Sequence, residues 1–273
     1  MNALEQFSLE GKVIIITGGT GVLGGAFAEA IASAGAKVVV IGRNEDRANE
    51  RVQSIQTGGG VAMAVLADVL DEQQVHNASA AVLQRWGRID GLINAAGGNV
   101  PGAVVSPEQN LFSVKAGDIK RAVDLNLYGT LIPTQIFAEE MARNKKGVIL
   151  NISSLAAQRP LTRVLGYSMA KSAIESYTRW MAIELSQRYG DGMRINALAP
   201  GVFLTVQNKN LLLNQDGSYA ERTQKFITHT PFGRLGLPEE LTGTVIWLMS
   251  DASKFVNGEI VLVDGGFNAY SGV

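Results

Sequence analysis

The chain contains no cysteine, which excludes a disulfide framework and a thiolate metal site and agrees with a reducing compartment. It also lacks any surplus of charge. Its 24 Lys and Arg stand against 25 Asp and Glu, so there is no basic excess with which to neutralise a nucleic-acid backbone or an anionic membrane surface. Long apolar runs are missing as well: nothing approaches the ~18 consecutive apolar residues of a membrane span. Met1 to Gly11 shows neither the positive start nor the apolar run of a secretion signal. A cytoplasmic protein without nucleic acid, membrane or metal is the expectation. No repeat, linker or composition break divides the 273 residues, and a hydrophobic content of 46% is enough for one large core.

What is present is alternation. Short Val- and Ile-rich runs recur at Lys12–Thr17, Lys37–Ile41, Val61–Ala67, Gly91–Asn94, Gly147–Ile152, Arg194–Leu198 and Glu259–Val263. Between them lie segments with helical spacing of apolar residues: Gly24–Ala34, Glu45–Gln56, Glu72–Trp86, Asp118–Arg143, Tyr167–Tyr189 and Glu239–Met249. Sustained end to end, this predicts one α/β domain over residues 9–267: a doubly wound Rossmann sheet of about seven parallel strands with helices on both faces. Residues 97–117 and 203–237 fit the alternation badly. Loops of that length in a compact domain are usually functional, so both are assigned to the substrate side, 203–237 as a lid-like insertion, with 268–273 as a tail.

The first predicted strand runs into Thr17-Gly18-Gly19-Thr20-Gly21-Val22-Leu23-Gly24. Glycines between a strand and a helix permit a tight turn and let the backbone approach a pyrophosphate, whose charge the helix N-terminus then holds. Gly18, Thr20, Gly21, Val22, Leu23 and Gly24 are therefore candidate cofactor contacts. The second strand ends in Gly42-Arg43-Asn44. An enzyme using the unphosphorylated dinucleotide commonly places an acid there to hold the ribose hydroxyls. Gly42 supplies none, and Arg43 supplies a planar cation suited to a 2′-phosphate or to adenine stacking, so NADP is favoured over NAD, with Asn44 beside it. Asp68, next to Val69, is placed to accept from an adenine amino group, and Asn94-Ala95-Ala96-Gly97 ends the fourth strand with small side chains that let a cofactor lie close.

At the chemical end, Tyr167-Ser168-Met169-Ala170-Lys171 places a phenol and an amine four apart, on one helical face. A neighbouring ammonium favours the phenolate and brings proton transfer toward working pH. Ser154 ends the preceding strand, where such sheets open their ligand crevice, and can donate to an oxygen on which charge develops. Asn126 lies inside a predicted helix, where an interior amide is locally unfavourable. That cost points to a use, such as holding a water that relays protons to Lys171.

These residues resemble the short-chain dehydrogenase/reductase family over Leu9 to Phe267. The resemblance implies a catalytic set of Asn126, Ser154, Tyr167 and Lys171, with Tyr167 and Lys171 also touching the cofactor. It further implies nicotinamide contacts from Pro200, Gly201, Val202 and Thr205, hydride transfer between a secondary alcohol and a ketone, and a homotetramer. One position departs: compact members carry glycine where this chain has Val22, and the glycine here is Gly21, which implies altered loop geometry around the pyrophosphate. The loops around Gly97–Gly102, Pro160–Arg163, Gln207–Leu212 and the C-terminal segment resemble the D-mannonate oxidoreductase (fructuronate reductase) subgroup, implying a small sugar-acid substrate. The amides and cations of these loops agree in kind. Asn99, Arg163, Gln207 and Asn208 are the candidate substrate contacts, with Gln158, Arg159 and Lys209 nearby, because an arginine can take a carboxylate through paired hydrogen bonds. The competing readings are reduction of a 3-oxoacyl thioester or another keto acid, and a catalytically silent nucleotide-binding protein.

Overall fold

The computed structural model describes residues 3–205, 208 and 212–272. Seven strands form one sheet: β1 (Val13–Thr17), β2 (Lys37–Gly42), β3 (Val61–Leu66), β4 (Gly91–Asn94), β5 (Gly147–Ile152), β6 (Met193–Pro200) and β7 (Ile260–Val263). Their order is β3-β2-β1-β4-β5-β6-β7 and every pairing is parallel. The central strands read as unbroken apolar runs because both faces are covered: β1 is Val-Ile-Ile-Ile-Thr with all five residues buried.

The crossovers are α1 (Val22–Ser33), α2 (Glu45–Thr57), α3 (Glu72–Trp86), α4 (Ala116–Val123), α5 (Gly129–Arg143), α6 (Leu165–Tyr189), α7 (Glu221–His229) and α8 (Thr242–Met249). Side chains alternate across the pleat, so β1 sends Ile14 and Ile16 to one face and Val13 and Ile15 to the other. The first face is closed by Phe27 and Ile31 of α1 and by Val245, Leu248 and Met249 of α8. The second is closed by Val75 and Val82 of α3, Phe137 and Met141 of α5, and Leu185 of α6. Leu248 and Met249 thus belong to the chain's own core. Each such side chain, fully buried, contributes roughly 1.5–3 kcal/mol.

Two segments differ from expectation, and a third is largely loop. The helix predicted as one piece over Asp118–Arg143 is interrupted: α4 passes into a π-helical turn over Asp124–Tyr128 before α5 begins. Pro133 within α5 has no N–H to give to the carbonyl four residues back, and the helix widens one turn before that missing bond. The stretch 97–117 holds two short 3-10 turns, Pro101–Ala103 and Leu111–Ser113, and the first two residues of α4. Residues 203–237 are not irregular throughout: they include α7, and they are pinned at the base where Phe203 bridges Gly236 and the Gly236 N–H donates to Val202 O at 3.0 Å.

The chain travels β1 to β3 toward one edge and then returns through β4 toward the other, so the carboxyl ends of β1 and β4 part at a topological switch point. Crevices in open α/β sheets form there. Gly18 makes the turn out of β1 with φ +66°, and a Cβ on it would lie 2.7 Å from Ala95 O and from Ala96 N on the turn after β4. Gly18→Ala is therefore expected to lower the unfolding free energy by roughly 1–3 kcal/mol. Urea denaturation measures this, and unchanged stability would mean the two turns can separate freely.

Candidate active site

A cleft of about 840 Å³ opens at the switch point, within the range of small-molecule sites. Its walls include Gly18, Thr20, Gly21, Val22, Leu23 and Gly24 from the first turn, Arg43 after β2, and Asp68 and Val69 after β3. Ala95, Ala96, Gly97 and Asn99 line it after β4, and Thr205 after β6. The remaining expected cofactor contacts are not among these walls. The Asn44 side chain caps α2 by accepting from the Arg47 N–H at 2.9 Å. Pro200 and Gly201 carry β6 alongside β7, the Gly201 N–H donating to Val263 O at 2.9 Å. Val202 lines a second, smaller cavity with Phe203, Thr230 and Phe232. Asn94 is part of the core: its amide donates to Thr134 Oγ1 at 2.8 Å and to Asn151 Oδ1 at 2.9 Å, tying β4 to α5 and β5.

Helix α1 begins without a side-chain cap, Gly21 standing at the N-cap in extended backbone, whereas α2 and α3 are capped by Asn44 and Asp71. A helix N-terminus that no side chain closes, facing a glycine-walled cleft, is suited to an anionic group. The Gly42 backbone is crossed by Thr20, whose Cγ2 would be 2.5 Å from an added Cβ, so a carboxylate at 42 would displace Thr20. Arg43, 72% exposed, reaches Asp68 at 3.4 Å, and the other Asp68 oxygen accepts from the Leu70 N–H at 3.0 Å. Sequence reasoning missed Arg47, Arg51 and Ser54, which also line the cleft. Their spacing of four and three on α2 puts them on one helical face, a signal legible in the sequence.

At the carboxyl end of β5 the chemistry-bearing side chains come together. Ser154 hydrogen-bonds the Tyr167 hydroxyl and accepts from the Ala156 N–H at 3.1 Å. Lys171, 4% exposed, donates from Nζ to Ile152 O at 2.6 Å and lies 5.5 Å from the Tyr167 ring centroid. Gly97 joins this group to the cleft: a Cβ there would be 2.6 Å from Asn126 Oδ1 and 3.5 Å from Lys171 Nζ. Asn126 is fully buried in the π turn. Its Oδ1 accepts from the Gly98 N–H, and its Nδ2 donates to Gly98 O and Ala122 O, all at 2.8 Å. Both amide hydrogens are therefore committed to backbone, and the side chain fixes the Gly97–Gly98 strip.

The electrostatics also differ from expectation. Burial lifts the Tyr167 phenol above its ordinary value of 10.0, and the Ser154 hydrogen bond pulls it back only in part. Burial lowers the Lys171 amine from 10.5 to about 8. The predicted downward pull of the ammonium is not among the forces that set the phenol: Lys171 is itself desolvated and its Nζ is turned to the Ile152 carbonyl.

Of the residues read as substrate contacts, Asn99 keeps a buried Oδ1 with no hydrogen-bond partner. Arg163 sits just before α6 in left-handed backbone, φ 75°, with its carbonyl accepting from the Val105 N–H at 2.8 Å. Asn208 folds back on its own loop, donating to Phe203 O at 2.7 Å and accepting from the Thr205 N–H at 2.8 Å. Gln158 is bonded to Glu175, and Arg159 to Asn268. Gln207 and Lys209 lie outside the described residues. Among the described residues no group of His, Asp or Glu side chains could hold a metal ion, and no helix is long and apolar enough to cross a membrane.

A parallel sheet with a glycine-walled cleft at its switch point, beside a Ser-Tyr-Lys group, defines a nucleotide-binding oxidoreductase fold. The chain belongs to the short-chain dehydrogenase/reductase family: the family model described as enoyl-(acyl carrier protein) reductase matches residues 20–268. It is 42% identical to the uncharacterized oxidoreductase UxuB of Bacillus subtilis, across 97% of this chain and 98% of that one. A Haemophilus influenzae protein solved with bound NAD, provisionally named a D-mannonate oxidoreductase, superposes with a TM-score of 0.90 at 38% identity, covering 99% of both chains. A gluconate 5-dehydrogenase of Burkholderia cenocepacia, solved with NADP and tartrate, gives 0.87 at 32% identity, covering 98% of this chain and 99% of that one.

Proposed function

We propose that this protein is a nicotinamide-dependent oxidoreductase interconverting a secondary alcohol and a ketone on a small polyhydroxylated acid of the D-mannonate/D-fructuronate kind. The observation that carries the reading is the meeting of Ser154, Tyr167 and Lys171 at the end of β5, next to the cleft through Gly97. When bound there, the nicotinamide dinucleotide supplies or accepts the hydride. The uncapped first turn of α1 would hold its pyrophosphate, and Arg43 would take a 2′-phosphate, which favours NADP.

The chain's own groups then divide the work. A phenol held above its ordinary value stays protonated at neutral pH, so Tyr167 is a proton donor to a ketone oxygen and takes the proton back when an alcohol is oxidised. Ser154 orients that oxygen and donates to it as charge builds. Lys171 holds a positive charge close to the phenol ring at pH below about 8. Asn126 acts at one remove, keeping the glycine strip against the site. Asn99 Oδ1, unpartnered in the cleft, suits a hydroxyl donor, and Arg163 suits a carboxylate. In the homotetramer that the family resemblance implies, Trp180 and Ile183, each 58% exposed on α6, offer apolar surface for a second copy.

The acyl-carrier descriptions among the relatives favour a second reading, reduction of the ketone of a 3-oxoacyl thioester. A panel of hexonates, keto-hexuronates, hydroxysteroids and 3-oxoacyl thioesters, run with both cofactors, separates the two. The best kcat/KM is expected on a six-carbon sugar acid, with NADP(H) ahead by about tenfold or more, since a lost charge-assisted contact of ~1.5–3 kcal/mol corresponds to that ratio. A thioester or steroid as best substrate would sink the sugar-acid assignment, and equal use of NAD(H) would sink the cofactor assignment.

A further inference from the structure

Glu175 is 5% exposed and takes no part in the chemistry above, yet a carboxyl is kept in the interior only where partners compensate its desolvation. Its Oε1 accepts from Ser153 Oγ at 2.9 Å and from Gln158 Nε2 at 3.2 Å, and Arg179 lies 3.7 Å from Oε2. The Ser153 N–H, in turn, donates to Leu198 O of β6 at 2.7 Å. One residue is thereby fixed to the sheet on one side and to α6 on the other.

The register of these contacts gives them meaning. Three consecutive residues at the end of β5 each meet α6. Ile152 O receives Lys171 Nζ, Ser153 Oγ donates to Glu175, and Ser154 meets Tyr167. On α6 the partners 167, 171 and 175 are four apart and share one face. Two of the three rungs belong to the proposed active site, and the third is Glu175. We infer that Glu175 is a positioning residue for the reaction: through Ser153 and Gln158 it sets how the end of β5 lies along α6, and so fixes Ser154 on Tyr167 and Lys171 on Ile152. The inference rests on the Ser-Tyr-Lys assignment but on no particular substrate.

Glu175→Gln tests it with little change of shape. The new carbonyl can still accept from Ser153, but the new amide faces the Gln158 amide, donor against donor. Displacements well under 1 Å at such a site are expected to cost about tenfold in kcat. The double variant Glu175→Gln with Gln158→Glu restores a donor–acceptor match and is expected to recover kcat to within about twofold of wild type. Turnover is read on whichever member of the substrate panel wild type uses, so a wrong sugar-acid assignment leaves the test intact. A readout independent of turnover is the ionisation of Tyr167, followed as tyrosinate absorbance against pH and isolated by subtracting the same variant carrying Tyr167→Phe. It should shift in Glu175→Gln and return in the double variant. Wild-type kcat and an unshifted Tyr167 titration in Glu175→Gln would overturn the role, as would a loss of kcat that the double variant fails to reverse.

Discussion

Tyr167→Phe should lower turnover by about a thousandfold, in the middle of the range that a single general acid or base contributes, while nicotinamide dinucleotide binding stays within about twofold, since the walls of the cleft are built from other residues. The change removes one oxygen from a partly buried ring and leaves α6 untouched. Ser154 loses its phenol partner but keeps the Ala156 N–H, so no folding defect is expected to mimic the effect. The pH dependence of the parent enzyme should agree. Because burial raises the phenol, ketone reduction should persist through neutral pH, and alcohol oxidation should climb as pH rises. Binding is read by nicotinamide fluorescence and turnover by absorbance. Residual turnover within about tenfold of wild type would remove Tyr167 from the chemistry.

The second large effect concerns Lys171, where activity and stability should part. Its amine titrates at about 8 in the folded protein against 10.5 for the ordinary group. Between those values the unfolded chain holds more protons than the folded one, so stability rises with pH across that window. Below about pH 8 both states are protonated and the folded protein carries the full burden, about 3 kcal/mol at 1.36 kcal/mol per unit. Lys171→Met removes that burden but leaves Ile152 O without its donor, which costs roughly 1–3 kcal/mol. At pH 7 the variant should therefore be at least as stable as wild type, and its urea-derived stability should lack the lysine's share of the rise between about pH 8 and pH 10.5. Turnover should fall by about a hundredfold or more. Variant and wild-type curves running parallel through that window would show that the amine is not desolvated as its surroundings require.

How far the sequence could be read depended on the range of the interactions involved. The strands were legible because β-branched runs buried on both faces leave an unmistakable composition, and β4 and β5 fall at their predicted bounds. The pairing of Tyr167 with Lys171 was legible because helical periodicity is local. The π turn at Asp124–Tyr128 was not, although Pro133 marked the helix as imperfect. Helix α7 was hidden by its polar composition; its buried Thr223 donates to Leu212 O at 2.5 Å, a tertiary anchor with no local signature. Least legible of all was which polar side chains were already engaged. Gln158 is committed to a residue 17 positions away and Arg159 to one 109 positions away, so loop residues that read as ready for a ligand proved to be internal fasteners. Asn126 reads from the sequence alone as costly in a helix, but its partner, Gly98, lies 28 positions back.

The bridge between Phe203 and Gly236 carries a consequence for descent. Because that segment leaves and rejoins the framework at one point, its interior can lengthen, shorten or exchange residues at a cost that grows only slowly with contour, about 0.6 kcal/mol per doubling, and the strands beneath need not register the change. Descent can thus exchange this segment as a cassette while the framework that holds Ser154, Tyr167 and Lys171 is left alone.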